Sequence, residues 1–384
     1  MITDLPVELV HKIVRSAAPT TMATIRLCNK TLRNLASPLL FRTFHLTFSR
    51  NTGEALGCLA DSTTLAKFVR EIVLADDEME DHLALEDIGI LFEDLGSKMH
   101  KFTNLINLCI TFTSLYESPP IGPTGSGQEA FQRRVLSFID ATKPLPSLQA
   151  LTIKNLCPFD SPYSSFCREF SQGRPDHFSS LTSLSITVLS ADGPEIVDDE
   201  AFGFIFFWEA IFQKLVLPAP AHSNLTSLTL RSDQLIGYLP NISFPVATAY
   251  PQLESITLQM FVFGGLTNAE HFILVHSATL KRLELQACSI VFEDGDSDDE
   301  ELEPERFWSD IFAKLAEECT ELVEVVMKRG ESISEGTQDI PGGRFGYSVF
   351  SEYNGYRTVE RMMDGEEGDE EALDTLLAVV ADRQ

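Results

Sequence analysis

Nine copies of one apolar hexamer, L-x-x-L-x-L with apolar substitutions, constrain this chain more than any other feature in it. They read FRTFHL from Phe41, VREIVL from Val69, LINLCI from Leu105, LQALTI from Leu148, LTSLSI from Leu181, LTSLTL from Leu225, LESITL from Leu253, LKRLEL from Leu280 and LVEVVM from Leu322. Start-to-start spacings are 28, 36, 43, 33, 44, 28, 27 and 42 residues. The last two apolar positions of each hexamer lie two apart, so both point to one face of a short strand, while the first closes the preceding turn onto the same core. One unit alone cannot cover that face. Stacked units can, each buried Leu or Ile contributing roughly 1.5 to 3 kcal/mol.

Between the hexamers, LEDIGILFEDL, EAFQRRVLSFI, DEAFGFIFFWEAIF, AEHFILVH and ERFWSDIFAKLAEE each carry an apolar stripe at helical spacing. Strand, crossover helix and parallel strand is the build this order implies. The expected fold class is therefore α/β: a curved, irregular solenoid of parallel strands with outer helices over residues 43–330. Three insertions interrupt it, a Pro/Gly/Ser stretch at 117–127, an irregular one at 157–178 and EDGDSDDEELEPE at 293–305, with nine acidic side chains in thirteen positions. Beyond 330, GRFGYSVFSEY alternates like a final strand and EEALDTLLAVVADR like a final helix, so 331–384 reads as the cap that a solenoid end requires.

The first 42 residues follow another pattern. In TDLPVELVHKIVRSAAP, Leu5, Leu9, Ile13 and Ala17 recur every fourth residue with Val10 and Val14 alongside, while Glu8, His11, Lys12 and Arg15 take the opposite side. Pro6 suits the first turn and Glu8 the positive end of the helix dipole. That apolar face must meet its own core or an external partner. PTTMATIRLCN predicts a second helix entered through Thr20 or Thr21, and KTLRNLA a third, broken before Pro38. SPLLFR then restarts a helical turn capped by Ser37. Three short helices make a module near the lower size limit for burying a core.

Composition separates the same module. The chain of 384 residues carries a net charge of −28, yet residues 1–50 hold seven basic side chains against Asp4 and Glu8, leaving −33 for the remainder. So acidic a chain disfavours nucleic acid and anionic membrane as partners, because clustered Lys and Arg drive phosphate binding. No apolar run approaches a bilayer span, and the N-terminus lacks a signal-peptide pattern, so an intracellular location, cytoplasmic or nuclear, is expected. Cys28, Cys58, Cys109, Cys157, Cys167, Cys288 and Cys319 include no CxxC pair and read as small core residues.

Motifs for chemistry are weak. Asp294, Asp296, Asp298 and Glu305 stand at calcium-loop positions 1, 3, 5 and 12, but Asp299 replaces the turn glycine, and a solvated loop is expected instead. Ser297, ahead of an acidic run, could be phosphorylated by an acidophilic kinase, but an unmodified loop serine is the expectation. GPTGSGQ lacks the spacing of a nucleophile elbow. His271 and His276 are five apart, off a shared helix face, and read as surface or boundary side chains rather than zinc ligands. Phe345, Tyr347, Phe350, Tyr353 and Tyr356 suit packing of the terminal strand better than an aromatic pocket. No phosphate loop or dinucleotide fingerprint occurs. Neither metal, cofactor nor catalytic residues are expected, and the chain reads as a non-enzyme.

LPVELVHKI, IRLCNKTLRNLA and LLFR together resemble the F-box, a three-helix module that docks onto the Skp-type adaptor of cullin–RING ubiquitin ligases. The hexamers that follow, whose shorter spacings match a leucine-rich repeat, resemble the receptor domain of F-box proteins, particularly fungal ones. Carried over by position, the resemblance implies adaptor contacts at Leu5, Pro6, Leu9, Ile13, Leu27, Cys28 and Lys30, and at Leu32, which stands where many members have Trp. The family's adaptor is acidic, in keeping with the basic first 50 residues. The implied function is substrate recognition for a Skp–cullin–F-box ligase, with the adaptor, a cullin through it, and a protein substrate as partners. An F-box-like scaffold that binds a partner without assembling a ligase is the alternative.

In such a solenoid the residues between and after the inward aliphatics of each strand face the concave surface, a usual ligand platform. Here these are Thr152 and Lys154, Ser185 and Thr187, Thr229 and Arg231, Thr257 and Gln259, Glu284 and Gln286, and Val326 and Lys328. The row is expected to be neutral to mildly basic, with Lys154, Arg231, Gln259, Gln286 and Lys328 as candidate substrate contacts for an acidic or phosphorylated segment.

Overall fold

The computed structural model describes residues 5–47, 50–75, 96–112, 132, 145–158, 180–190, 202–213, 224–244, 250–293, 306–328, 345–351, 355–358 and 367–384. All nine hexamers form strands: β1 (Thr43–Thr47), β2 (Glu71–Ala75), β3 (Asn107–Thr111), β4 (Ala150–Leu156), β5 (Ser183–Val188), β6 (Ser227–Ile236), β7 (Ser255–Phe263), β8 (Arg282–Gln286) and, after a further strand β9 (Ser289–Glu293), β10 (Glu324–Lys328). The result is a mixed α/β architecture of parallel strands and helices, compatible with a repeat solenoid.

The chain forms two compact units, Met1–Thr113 with Arg134–Thr152, and Ser114–Arg133 with Ile153–Gln384. The division falls within β4. Within the first unit, α1 (Val7–Arg15), α2 (Pro19–Cys28) and α3 (Lys30–Leu40) precede β1, and α4 (Arg50–Asp61) follows it. Strands β1, β2 and β3 pair in parallel, Leu46 opposite Leu74 and Leu74 opposite Ile110, all three nearly inaccessible. The helical module does not stand alone, because α3 touches the turn Ala66–Phe68 that leads into β2.

Two local expectations fail in this module. Helix α2 begins at Pro19 after Ala18, so Thr20 and Thr21 lie inside the first turn rather than capping it. Helix α3 continues through Pro38 to Leu40, and Ser37 starts no new turn. Pro38 removes only the bond to the carbonyl of Asn34, an exposed residue whose carbonyl water can serve, while Leu32 and Ala36 are buried on the other side.

In the second unit β5, β6, β7, β8 and β10 run parallel in continuous register, so Leu184, Leu228, Ile256 and Leu283 stack as one buried row. Gly237, directly after β6, has φ of 152°, and a Cβ there would lie 2.1 Å from Val262 Cγ2. The end of β7 pairs instead with β9, which joins β11 (Gly346–Ser351) in parallel, and β12 (Gly355–Thr358) closes antiparallel to β11. Strand β11 and the last helix match the expected terminal elements; β12 carries no strong alternation in sequence.

Among the described residues this unit also holds helices α5 (Phe202–Phe206), α6 (Ala269–Val275), α7 (Trp308–Glu318) and α8 (Glu367–Ala381). Past α5 the helix widens to π geometry over Phe207–Phe212, burying Phe207, Trp208, Ile211 and Phe212 together. Trp208 meets Phe212 and Phe261 edge-on at 5.0 and 6.0 Å. Asp310 accepts the amide of Phe307 at 3.0 Å at the start of α7, and Arg383 donates to the carbonyls of Ala316 and Cys319 at its end. Two expected helices, LEDIGILFEDL and EAFQRRVLSFI, lie almost wholly outside the described residues, as do the insertions 117–127, 157–178 and 293–305, of which only residues 157, 158 and 293 are described. No described helix is long and apolar enough to cross a membrane.

Candidate functional site

The first helix is built to start at Pro6, whose carbonyl accepts from Leu9 and Val10 N–H at 3.0 and 3.1 Å. Glu8 sits in its first turn, Lys12 and Arg15 in its last, each matched to the macrodipole. Asn29 caps α3 by accepting from the amide of Leu32 at 2.8 Å. These caps orient an apolar arc on α1 that is wider than its neighbours can cover. Val10 and Val14, four apart, close a small core with Leu32 and Ala36, flanked by Ile25, Leu35 and Leu39. Leu5, Leu9 and Ile13, one helical step round, stay 40, 49 and 39% exposed.

This apolar surface is the principal candidate site. Leu27, in the last turn of α2, is 73% exposed, and Cys28, Lys30 and Pro6 are exposed as well. Covering such leucines would yield on the order of 1 kcal/mol or more apiece. Lys12 and Arg15 are also exposed on the same helix. Leu32 differs from the other residues assigned to this surface. It is 4% exposed and belongs to the core, because its place on α3 faces Val10 and Val14 rather than solvent.

The strand row exists as a register line. Thr187, Arg231, Gln259, Gln286 and Lys328 align across β5, β6, β7, β8 and β10, and Ser185, Thr229, Thr257, Glu284 and Val326 form the line beside it. Its accessibility is not as expected. Gln259 and Gln286 are buried, as are Thr187, Thr257 and Glu284, so the two glutamines are not exposed contacts. In-register side chains stand only about 4.8 Å apart, and residues inside such a row are shielded by the neighbours on both flanks.

One cation of the row is engaged by the row's one carboxylate. Glu284 accepts from Lys328 Nζ and from Arg282 Nη2, both at 2.8 Å, and Arg282 also reaches Glu324 at 3.3 Å. Burial pushes the Glu284 carboxyl up, but the hydrogen bonds and charges of Lys328 and Arg282 outweigh it and hold the group below its ordinary value. Lys328 is thus already paired. Lys154 remains exposed, and Arg231 is half-buried with its Nε lacking a hydrogen-bond partner.

Other expectations resolve as follows. His276 is buried, not a surface or boundary side chain: its Nε2 accepts the amide of Tyr250 at 2.9 Å and its Nδ1 lies 2.7 Å from the carbonyl of Phe272. Burial lowers its pKa and keeps the ring neutral. Among the described residues no cluster of His, Cys, Asp or Glu has the arrangement of a metal site. Cys157, Cys288 and Cys319 are buried, but Cys28 and Cys58 are exposed rather than core residues. Phe345 and Tyr347 pack in the interior, Phe350 meets Tyr238 and Tyr356 at 5.4 and 5.2 Å, and Tyr353 lies outside the described residues. The calcium-like positions Asp294 to Glu305, Ser297, Cys167 and GPTGSGQ also lie outside them.

No family model matches the chain, and no curated protein matches it. Among solved structures, one described as the crystal structure of the Rad7 and Elc1 complex in yeast aligns with 89% of this chain and 92% of its own. Identity is 13% and the TM-score 0.27, a likeness too slight to carry an argument about fold or function.

Proposed function

We propose that this chain is the non-catalytic substrate-recognition subunit of a Skp–cullin–F-box-type ubiquitin ligase, acting in the cytoplasm or nucleus. An F-box-like helical module docks the adaptor, and the leucine-rich-repeat strands and their flanking elements hold a protein substrate. The observation that carries this reading is the stripe of Leu9 and Ile13 on α1, with Leu5 just ahead of it, left exposed beside Val10 and Val14, which turn into a core with Leu32 and Ala36. Its basic surroundings suit the acidic adaptor that the sequence resemblance implies. The ligase role needs no catalytic group in this chain: holding a substrate beside a ubiquitin-loaded enzyme raises its effective concentration.

The burial of Leu32 favours the alternative of a scaffold that engages a partner without assembling a ligase, since one position assigned to docking contributes no surface. Co-purification of the full chain with a Skp-type adaptor decides between them. Capture that is lost on replacing Leu5 and Pro6, or Leu9 and Ile13, is the expected result. Failure of the unaltered chain to retain the adaptor removes the ligase reading.

A further inference from the structure

The second unit holds a pocket of about 690 Å³, away from both strand rows. Its floor is apolar: Phe263 of β7, Ile290 and Phe292 of β9, and Ile311 of α7, all less than a tenth exposed. Leu266, 54% exposed, stands among the lining residues with Tyr238. One wall is charged. Glu270 of α6 is gripped by both guanidinium nitrogens of Arg306, one of them at 3.1 Å, and by Lys314 Nζ at 3.2 Å.

The three side chains are unequally placed. Glu270 is 14% exposed, whereas Arg306 and Lys314 are each 44% exposed. Two cations share one carboxylate, which leaves a surplus positive charge, and an Arg with five N–H donors and a Lys with three have donors to spare.

We propose that this pocket binds a small amphipathic organic anion. A carboxylate or phosphate head bridges Arg306 and Lys314, and an aliphatic or aromatic body lies against Phe263, Ile290, Phe292 and Ile311. The volume falls within the roughly 300–1,000 Å³ that holds a ligand of a few hundred daltons. Glu270 positions the two cations and, by sharing their charge, weakens the site it organises. The proposal does not depend on adaptor docking, which concerns helices of the other unit.

Calorimetric titration of the full chain with decanoate and with decyl phosphate, below their micelle concentrations, tests it. One saturable site is expected, and the tighter of the two anions identifies the head group. Decanol and decylammonium, with the same tail, should bind at least tenfold more weakly. The R306Q/K314Q variant should lose at least tenfold in affinity for the anion. E270Q should gain severalfold, because it frees both cations, and a gain of affinity at the same stoichiometry cannot come from unfolding. No saturable binding of either anion, equal binding of decylammonium, or unchanged affinity in E270Q overturns the proposal. If R306Q/K314Q fails to fold, as judged by its circular dichroism, E270Q and the tail-matched controls decide.

Discussion

Tyr347 of β11 donates its phenolic hydrogen to Asp369 Oδ2 at 2.5 Å, joining the terminal strand to the first turn of the last helix. Asp369 Oδ1 accepts the amide of Ser309 at 2.7 Å, and the Tyr347 oxygen accepts the amide of Trp308 at 3.1 Å. Two residues thus satisfy the amides of Trp308 and Ser309 from outside α7, while Asp310 serves only that of Phe307. Both Tyr347 and Asp369 are buried, so truncation leaves polar groups without partners. Tyr347→Phe should lower unfolding free energy by about 1 to 3 kcal/mol, measured by urea denaturation, without altering adaptor capture.

Asp233 gives the stability a pH dependence. Its carboxylate accepts from the amide of Ser190 at 2.9 Å and from the Ser190 hydroxyl at 3.0 Å. Burial nonetheless raises its pKa to about 6, the hydrogen bonds opposing but not cancelling that effect. The folded state therefore holds a proton that the unfolded chain has released above its ordinary carboxylate value of 3.8. This contribution is full below that value and is lost as pH rises toward and through about 6. Asp233→Asn should remove that component and raise stability at pH 7 by up to about 3 kcal/mol. Denaturation profiles from pH 4 to 8 check it; parallel wild-type and variant curves would show the assignment to be wrong.

The split face of α1 predicts opposite outcomes for its buried and exposed apolar positions. Val14, 1% exposed, lies in the small core, and Val14→Ala should cost about 1 to 2.5 kcal/mol. Leu9, 49% exposed, should tolerate Leu9→Ser within about 0.5 kcal/mol while capture of a Skp-type adaptor falls. Melting curves beside pull-downs separate the two effects.

Lys328 and Glu284 should couple only modestly, since Lys328 is 47% exposed and solvent screens the pair. A double-mutant cycle with Lys328→Met and Glu284→Gln should give an interaction energy of about 0.5 to 1.5 kcal/mol at low salt, smaller at 0.5 M. Glu284→Gln should also make the row more positive and strengthen its retention of a phosphopeptide probe. Unchanged retention would show that the row is no anion platform.

Strand positions were legible from the hexamers because a period of two with a closing leucine has one good burial solution, and all nine appear where that pattern puts them. Strand β12 and the π turn at Phe207–Phe212 were not. The first owes its place to pairing with β11, and the second to how four aromatic or aliphatic side chains share one cavity. Pro38 misled because its helix-breaking tendency is local, whereas the burial of Leu32 and Ala36 that holds α3 together is not.

The candidate site divides in the same way. Sequence alone determined that α1 has an apolar arc, that the first 50 residues are basic within an acidic chain, and that a polar row runs along the strands. Only the tertiary structure decided that Val10 and Val14 turn inward while Leu5, Leu9 and Ile13 do not, that Leu32 joins the core, and that Glu284 neutralises Lys328. Periodicity marks which side chains share a face, but exposure and charge balance depend on what lies opposite that face. Those neighbours come from segments far away in the chain, as with Lys328 and Glu284, 44 residues apart.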